Sequence, residues 1–157
     1  MRMHFYTLEK EDISPLEPYI PKHVLSNISA EGYYTLGAVC DPDGDRVLMG
    51  MLQFYVGMSE TEDCYAELIH VFVLDEYRRR AAGVRLVNKA DSILSGEDID
   101  IFMVRVSPED ISDLSEEDLE SFLKECGFIS TKDDIVGTED PGSRDPGQKR
   151  FFRFTGR

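Results

Sequence analysis

Cysteine is scarce in this chain. Its three thiols, Cys40, Cys64 and Cys126, are odd in number and far apart, with no CxxC or Cys/His spacing. That excludes a disulfide framework and a zinc site, so no metal is expected and the thiols read as small buried groups. Long apolar runs are missing as well. No stretch approaches the roughly 20 residues of a membrane-spanning helix, and Met1 to Tyr6 lead into acidic sequence without the apolar core of a signal peptide. A cytoplasmic location with no membrane partner is the resulting expectation. Basic residues are the third deficit: 17 Lys and Arg face 31 Asp and Glu, a formal net charge of −14. Nucleic acid is thereby excluded as the main partner, because binding it rests on neutralising phosphates with Lys and Arg. Repeats and linker-like stretches are also lacking, so residues 1–157 are expected to form one domain, long enough to bury a real core.

What is present is uneven. Between positions 107 and 145 stand thirteen acids, opposed only by Lys124, Lys132 and Arg144. Between 77 and 90 the balance reverses, with Arg78, Arg79, Arg80, Arg85 and Lys89 and no acid. The apolar pattern predicts a short strand at 4–8, then a pair of helices at 13–29 broken by Pro15, Pro18 and Pro21. Strands follow at 33–40 and 46–55, joined as a hairpin through the Asp-Gly turn at 41–45. The run 64–74, rich in Ile, Val and Phe, suits a central strand covered on both faces. Behind it Ala82, Leu86, Val87, Ala90, Ile93 and Leu94 repeat at helical spacing, closed by Ser95-Gly96, and 99–106 is a further strand. Such a strand–helix–strand unit is a right-handed crossover with parallel pairing. Ser115 opens another helix with Glu116, Glu117 and Asp118 in its first turn, and Gly127 stops it. Residues 133–148 read as a polar loop and 150–155 as a closing strand.

The turn Tyr77-Arg78-Arg79-Arg80-Ala81-Ala82-Gly83 is the informative segment, because a buried strand ends before it and a helix begins inside it. Helix N-termini expose backbone N–H groups and a partial positive charge. Small residues at Ala81, Ala82 and Gly83 allow a phosphate close to that backbone, and the arginines add donors suited to phosphate oxygens. Two readings follow: a phosphate- or pyrophosphate-binding turn, or a solvated basic helix start.

At these residues the chain resembles the GNAT superfamily of N-acetyltransferases. The family signature is Arg or Gln, two residues, Gly, one residue, then Gly or Ala, after the fourth strand; here it reads Arg78-Arg79-Arg80-Ala81-Ala82-Gly83, preceded by Tyr77 and followed by Leu86 and Val87. Ala81 stands where the family usually has Gly, which implies weaker or adjusted cofactor binding. The order of elements matches the family along nearly the whole chain, and the segment 122–128 is similar to its "Tyr-x-x-x-Gly-Phe" helix end. The resemblance implies an α+β fold with a mixed, mostly antiparallel sheet flanked by helices and splayed near the fourth and fifth strands. It implies acetyl-CoA as co-substrate, its pyrophosphate on the amides of Arg78, Arg79, Arg80, Ala81, Ala82 and Gly83, and its pantetheine chain along Val71, Phe72 and Val73.

The resemblance also bears on the chemistry. Acetyl transfer needs a deprotonated amine, a polarised thioester carbonyl and an acid for the leaving thiolate. Glu67 falls where one branch of the family keeps a catalytic glutamate; the alternative is a glutamate at a strand edge or paired with an arginine. Simple alternation places Glu67 on the face of Val71 and Val73 and His70 on the other, where His70 reads as core or sheet filler. The family's general-acid tyrosine falls at Leu123, and no tyrosine occurs after Tyr77. The expected activity is acetylation of a primary amine by a monomer or homodimer. The chain's acidity favours a cationic acceptor by electrostatic steering. An acyl-CoA-binding module without turnover, or an interaction domain using the acidic helix after Ser115, are the alternatives.

Overall fold

Proline decides how the chain enters the fold. Pro15 lies in the first turn of a 3₁₀ helix, Pro18 lies inside it, and Pro21 is the N-cap of the helix that follows, so the apolar stretch bends instead of forming one rod. The computed structural model describes residues 2–41, 45–58, 64–106, 111–130 and 150–156, with Arg79 and Arg80 described in their backbone alone. The chain runs β1 (Met3–Thr7), the 3₁₀ helix (Ser14–Tyr19), α1 (Lys22–Asn27), β2 (Tyr33–Cys40), β3 (Val47–Met58) and β4 (Cys64–Val73). A second 3₁₀ helix (Asp75–Arg80), α2 (Ala82–Gly96), β5 (Ile101–Arg105), α3 (Glu116–Glu125), β6 (Ile129–Ser130) and β7 (Arg150–Phe154) complete it. The sheet order is β1-β2-β3-β4-β5-β7-β6, and only β4 and β5 are parallel. This is the expected α+β architecture. The short edge strand β6 was not legible in the pattern, while the hairpin turn at 42–44 and the polar loop expected at 133–148 lie outside the described residues.

Two apolar layers hold the sheet. On one face Leu52, Phe54, Leu68, Val71 and Val73 pack with Leu86, Val87 and Ala90 of α2 and Leu119 and Leu123 of α3. On the other, Met51 and Phe72 pack with Leu8, Leu16, Val24 and Ile28 of the N-terminal segment. Fully buried Gln53 ties α1 to that second face, its Nε2 donating to the Val24 carbonyl at 2.9 Å and to Thr35 Oγ1 at 3.1 Å. A buried amide needs such partners, and here they also fix where the N-terminal segment sits.

Helix ends follow their local chemistry. Ser115 caps α3, its Oγ accepting from the Asp118 N–H at 3.2 Å, and Gly127 beyond the helix takes φ +87°. At α2 the outcome differs from the sequence pattern: Gly96 is the last helical residue, and Asp98 takes the left-handed conformation (φ +59°) that Gly96 was expected to supply. Aspartate is among the few residues that enter this region readily. Cys40 and Cys126 are buried as expected, but Cys64, at the exposed start of β4, is not. Burial, chiefly, pushes the Cys126 thiol up to about 12, with Glu125 adding to the rise and Arg153 opposing it. That thiol is a core group, not a nucleophile. Among the described residues, no helix is long and apolar enough to cross a membrane.

Candidate active site

β4 and β5 meet only at Ala66–Phe102 and Glu67–Met103, near the start of β4. No β4–β5 pairing follows Glu67 among the described residues, and beside the far end of β4 lies a cleft of about 330 Å³. Val71, Phe72 and Val73 form one wall, Ser112, Asp113 and Leu114 the other, and Phe122 and Glu125 of α3 close a side. Arg78, Ala81, Gly83 and Val84 line the end where α2 begins. Val71, Phe72 and Val73 thus share one cavity with Arg78, Ala81 and Gly83 of the basic turn. The opposite wall carried no signal, because Asp113 is one acid in an acid-rich run.

The turn is shaped by Ala81, which sits at φ 58°, ψ 21° as the N-cap of α2. A residue there must be left-handed to swing the chain from the 3₁₀ helix into α2, which explains why glycine suits the position. The first helical bond runs from the Arg85 N–H to the Ala81 carbonyl at 2.9 Å, leaving the amides of Ala82, Gly83 and Val84 at the free N-terminus of a 15-residue helix. Gly83 serves packing as well as access. A Cβ there would stand 2.9 Å from the Phe122 ring, so the glycine lets α3 close on the start of α2.

The arginines divide in role. Arg78 Nε donates to the Val73 carbonyl at 2.8 Å, and the guanidinium pairs with Asp75 at 3.1 Å and with Asp113 across the cleft. Arg85 lies over the Phe5 ring at 5.6 Å from its centroid. The side chains of Arg79 and Arg80 lie outside the described residues.

Glu67 requires a correction. Gln53 pairs with His70 and Phe54 with Leu68, so Ile69 is an extra residue in β4, a bulge. One extra residue reverses the alternation of everything beyond it. Glu67 therefore shares a face with His70 and Phe72, the face of the N-terminal segment, and not with Val71 and Val73. Its carboxylate pairs with Arg105 of β5 at 3.2 Å, both side chains less than a fifth exposed. This is the arginine-paired alternative, and the pair supplies the counter-charge that a half-buried carboxylate needs. Glu67 stands at the last β4–β5 pair, Glu67–Met103, and the cleft lining starts four residues on, at Val71. His70 is 2% exposed, consistent with filler. Leu123 is fully buried in the core, so no hydroxyl reaches the cleft from that position.

Comparison with known proteins agrees with this geometry. The family model described as "Acetyltransferase (GNAT) family" matches residues 3–128. Among solved structures, NAA60 of Arabidopsis thaliana in complex with acetyl-CoA is similar at TM-score 0.72 and 17% identity, covering 98% of each chain. A GNAT-family acetyltransferase of Staphylococcus aureus Mu50 gives 0.70 at 13% identity, covering 98% of this chain and 99% of the other. The aminoglycoside 6'-N-acetyltransferase AAC(6')-Ih of Acinetobacter baumannii gives 0.65 at 17%, covering 90% and 100%. No curated protein sequence matches the chain.

Proposed function

Because the chain belongs to the acetyltransferase (GNAT) family, we propose that it is an N-acetyltransferase that moves an acetyl group from acetyl-CoA to a primary amine. The observation that carries this reading is the cleft that joins the end of β4, Val71–Val73, to the free N-terminus of α2. A helix N-terminus suits a pyrophosphate, and the apolar wall Val71–Val73 suits an extended, mostly uncharged chain. Acetyl-CoA, when bound, supplies an activated thioester. The amides of Ala82, Gly83 and Val84 hold its phosphates, with Arg79 and Arg80 on the same turn. Glu67, at the last β4–β5 pair, accepts the proton of the incoming ammonium through water, and Arg105 orients the carboxylate. No tyrosine takes the place of Leu123, so thiolate leaves either to solvent or with a donor from another position.

Thiol release from acetyl-CoA in the presence of a polyamine, an amino acid, an aminoglycoside and a peptide N-terminus tests the reading. At least one amine should be acetylated, and Glu67→Gln should then lower kcat/KM by about 10²–10⁴ with CoA affinity nearly unchanged. Full activity of Glu67→Gln on that amine would remove the base from this residue. The buried Leu123 favours a second reading, a module that binds acyl-CoA without turnover; CoA binding with no acetylated amine would select it.

A further inference from the structure

Arg78 is the first residue of the turn that holds the phosphates in the proposed reading, yet each of its three guanidinium nitrogens already has a partner. Its single charge is answered by two carboxylates, Asp75 and Asp113, and its Nε by the Val73 carbonyl. Asp75 lies only three residues away and its side chain is 90% exposed, which makes that contact a local and well-solvated one. The Nε bond anchors Arg78 to the end of β4, and the Asp113 pair crosses the cleft. Val73 ends the β4 wall, and Asp113 lies at the centre of the facing wall 112–114. No strand pairing joins these walls past Glu67–Met103 among the described residues.

We infer that the Arg78–Asp113 pair is a latch that sets the width of the cofactor cleft, and that Asp113 is a positioning residue for acetyl-CoA. The inference rests on the acetyl-CoA reading of the cleft. Arg78 contributes to binding by holding the two walls at a fixed separation, not by touching phosphate. The geometry around the pair supports this assignment. The Arg78 guanidinium carbon lies 5.8 Å from the centroid of the Phe72 ring, and Tyr19 of the N-terminal segment stacks on that ring with centroids 5.4 Å apart. One arginine therefore gathers the end of β4, the N-terminal segment and the segment before α3. On the far wall Ser112 Oγ accepts from the Leu114 N–H at 3.1 Å, closing a tight turn that presents Asp113 toward the arginine. Holding a binding cleft at its bound width reduces the ordering cost when the ligand arrives.

The latch and the phosphate-ligand alternative predict opposite signs for one substitution. If Arg78 is a latch, Asp113→Asn loosens the cleft and weakens CoA. If Arg78 is a phosphate ligand held back by Asp113, the same change frees it and tightens CoA. Equilibrium titration of the full chain with CoA at low salt should show Asp113→Asn binding about two- to fivefold more weakly than the native chain, the scale expected of a partly exposed ion pair. Asp113→Glu should recover most of the loss. Arg78→Gln/Asp113→Asn should bind no more weakly than Arg78→Gln alone. With an active acceptor, the loss should appear in the KM for acetyl-CoA more than in kcat. Unchanged or tighter binding by Asp113→Asn would overturn the latch. A native chain that binds no CoA would instead overturn the cofactor reading. In that case amide exchange of residues 111–114 without ligand tests the latch alone, expected to be faster in Asp113→Asn and, if unchanged, refuting it.

Discussion

At the residue scale, Ala81 shows how a family position can keep its backbone while changing its side chain. Its left-handed conformation (φ 58°) is one that glycine adopts freely and that costs alanine about 1–2 kcal/mol. Glycine gives part of that back through its freer unfolded chain. Ala81→Gly should therefore stabilise the protein by about 1 kcal/mol net, read as a raised urea midpoint at constant slope. An unchanged or lowered midpoint would mean that the methyl group makes contacts worth more than the strain. The position was legible in the sequence because Ala81 interrupts a known spacing. The partners of Arg78 and Glu67 were not. Asp113 lies 35 residues from Arg78, and nothing in an acid-rich run distinguishes the acid that folds back to an arginine from those that face solvent. Arg105 closes β5 and carries no signal beyond being a charge in a strand.

At the scale of elements, periodicity located the helices and the long strands because their apolar spacing is regular. It failed where the backbone departs from that period. The bulge at Ile69 is a register event between β3 and β4, invisible in β4 alone, and it reverses which face Glu67 occupies. Gly83 similarly has two roles that the sequence merges into one. It was read as room for a phosphate, and the structure adds that it is room for Phe122 of α3. Helix propensity favours alanine over glycine by about 1 kcal/mol, whereas forcing a methyl group into a packed contact costs about 1–3 kcal/mol. With the nearest ring atom at 2.9 Å the clash should win, so Gly83→Ala lowers stability. Gly83→Ala/Phe122→Leu should be more stable than the two single changes sum to, a positive coupling visible in a double-mutant cycle of urea melts. Strict additivity would separate Gly83 from Phe122 and leave ligand access as the glycine's only purpose.

For the molecule as a whole, the order of elements gave the strand–helix–strand crossover, and the family resemblance supplied the mixed sheet and its splay. A basic turn directly after a buried strand pointed to the end of the cleft that the proposed reading gives to phosphate. Acceptor identity was not legible, because sequence spacing does not encode which side chains distant segments bring together. All of this rests on the cleft being a CoA site, and thermal melting of the full chain against increasing CoA tests that most directly. Ligand that binds only the native state adds RT ln(1 + [L]/Kd), about 2.7 kcal/mol at one hundred times Kd, or a rise in Tm of about 5–10 °C for a chain of this size. The account predicts a saturable rise of that order; a Tm that stays flat up to millimolar CoA would contradict it.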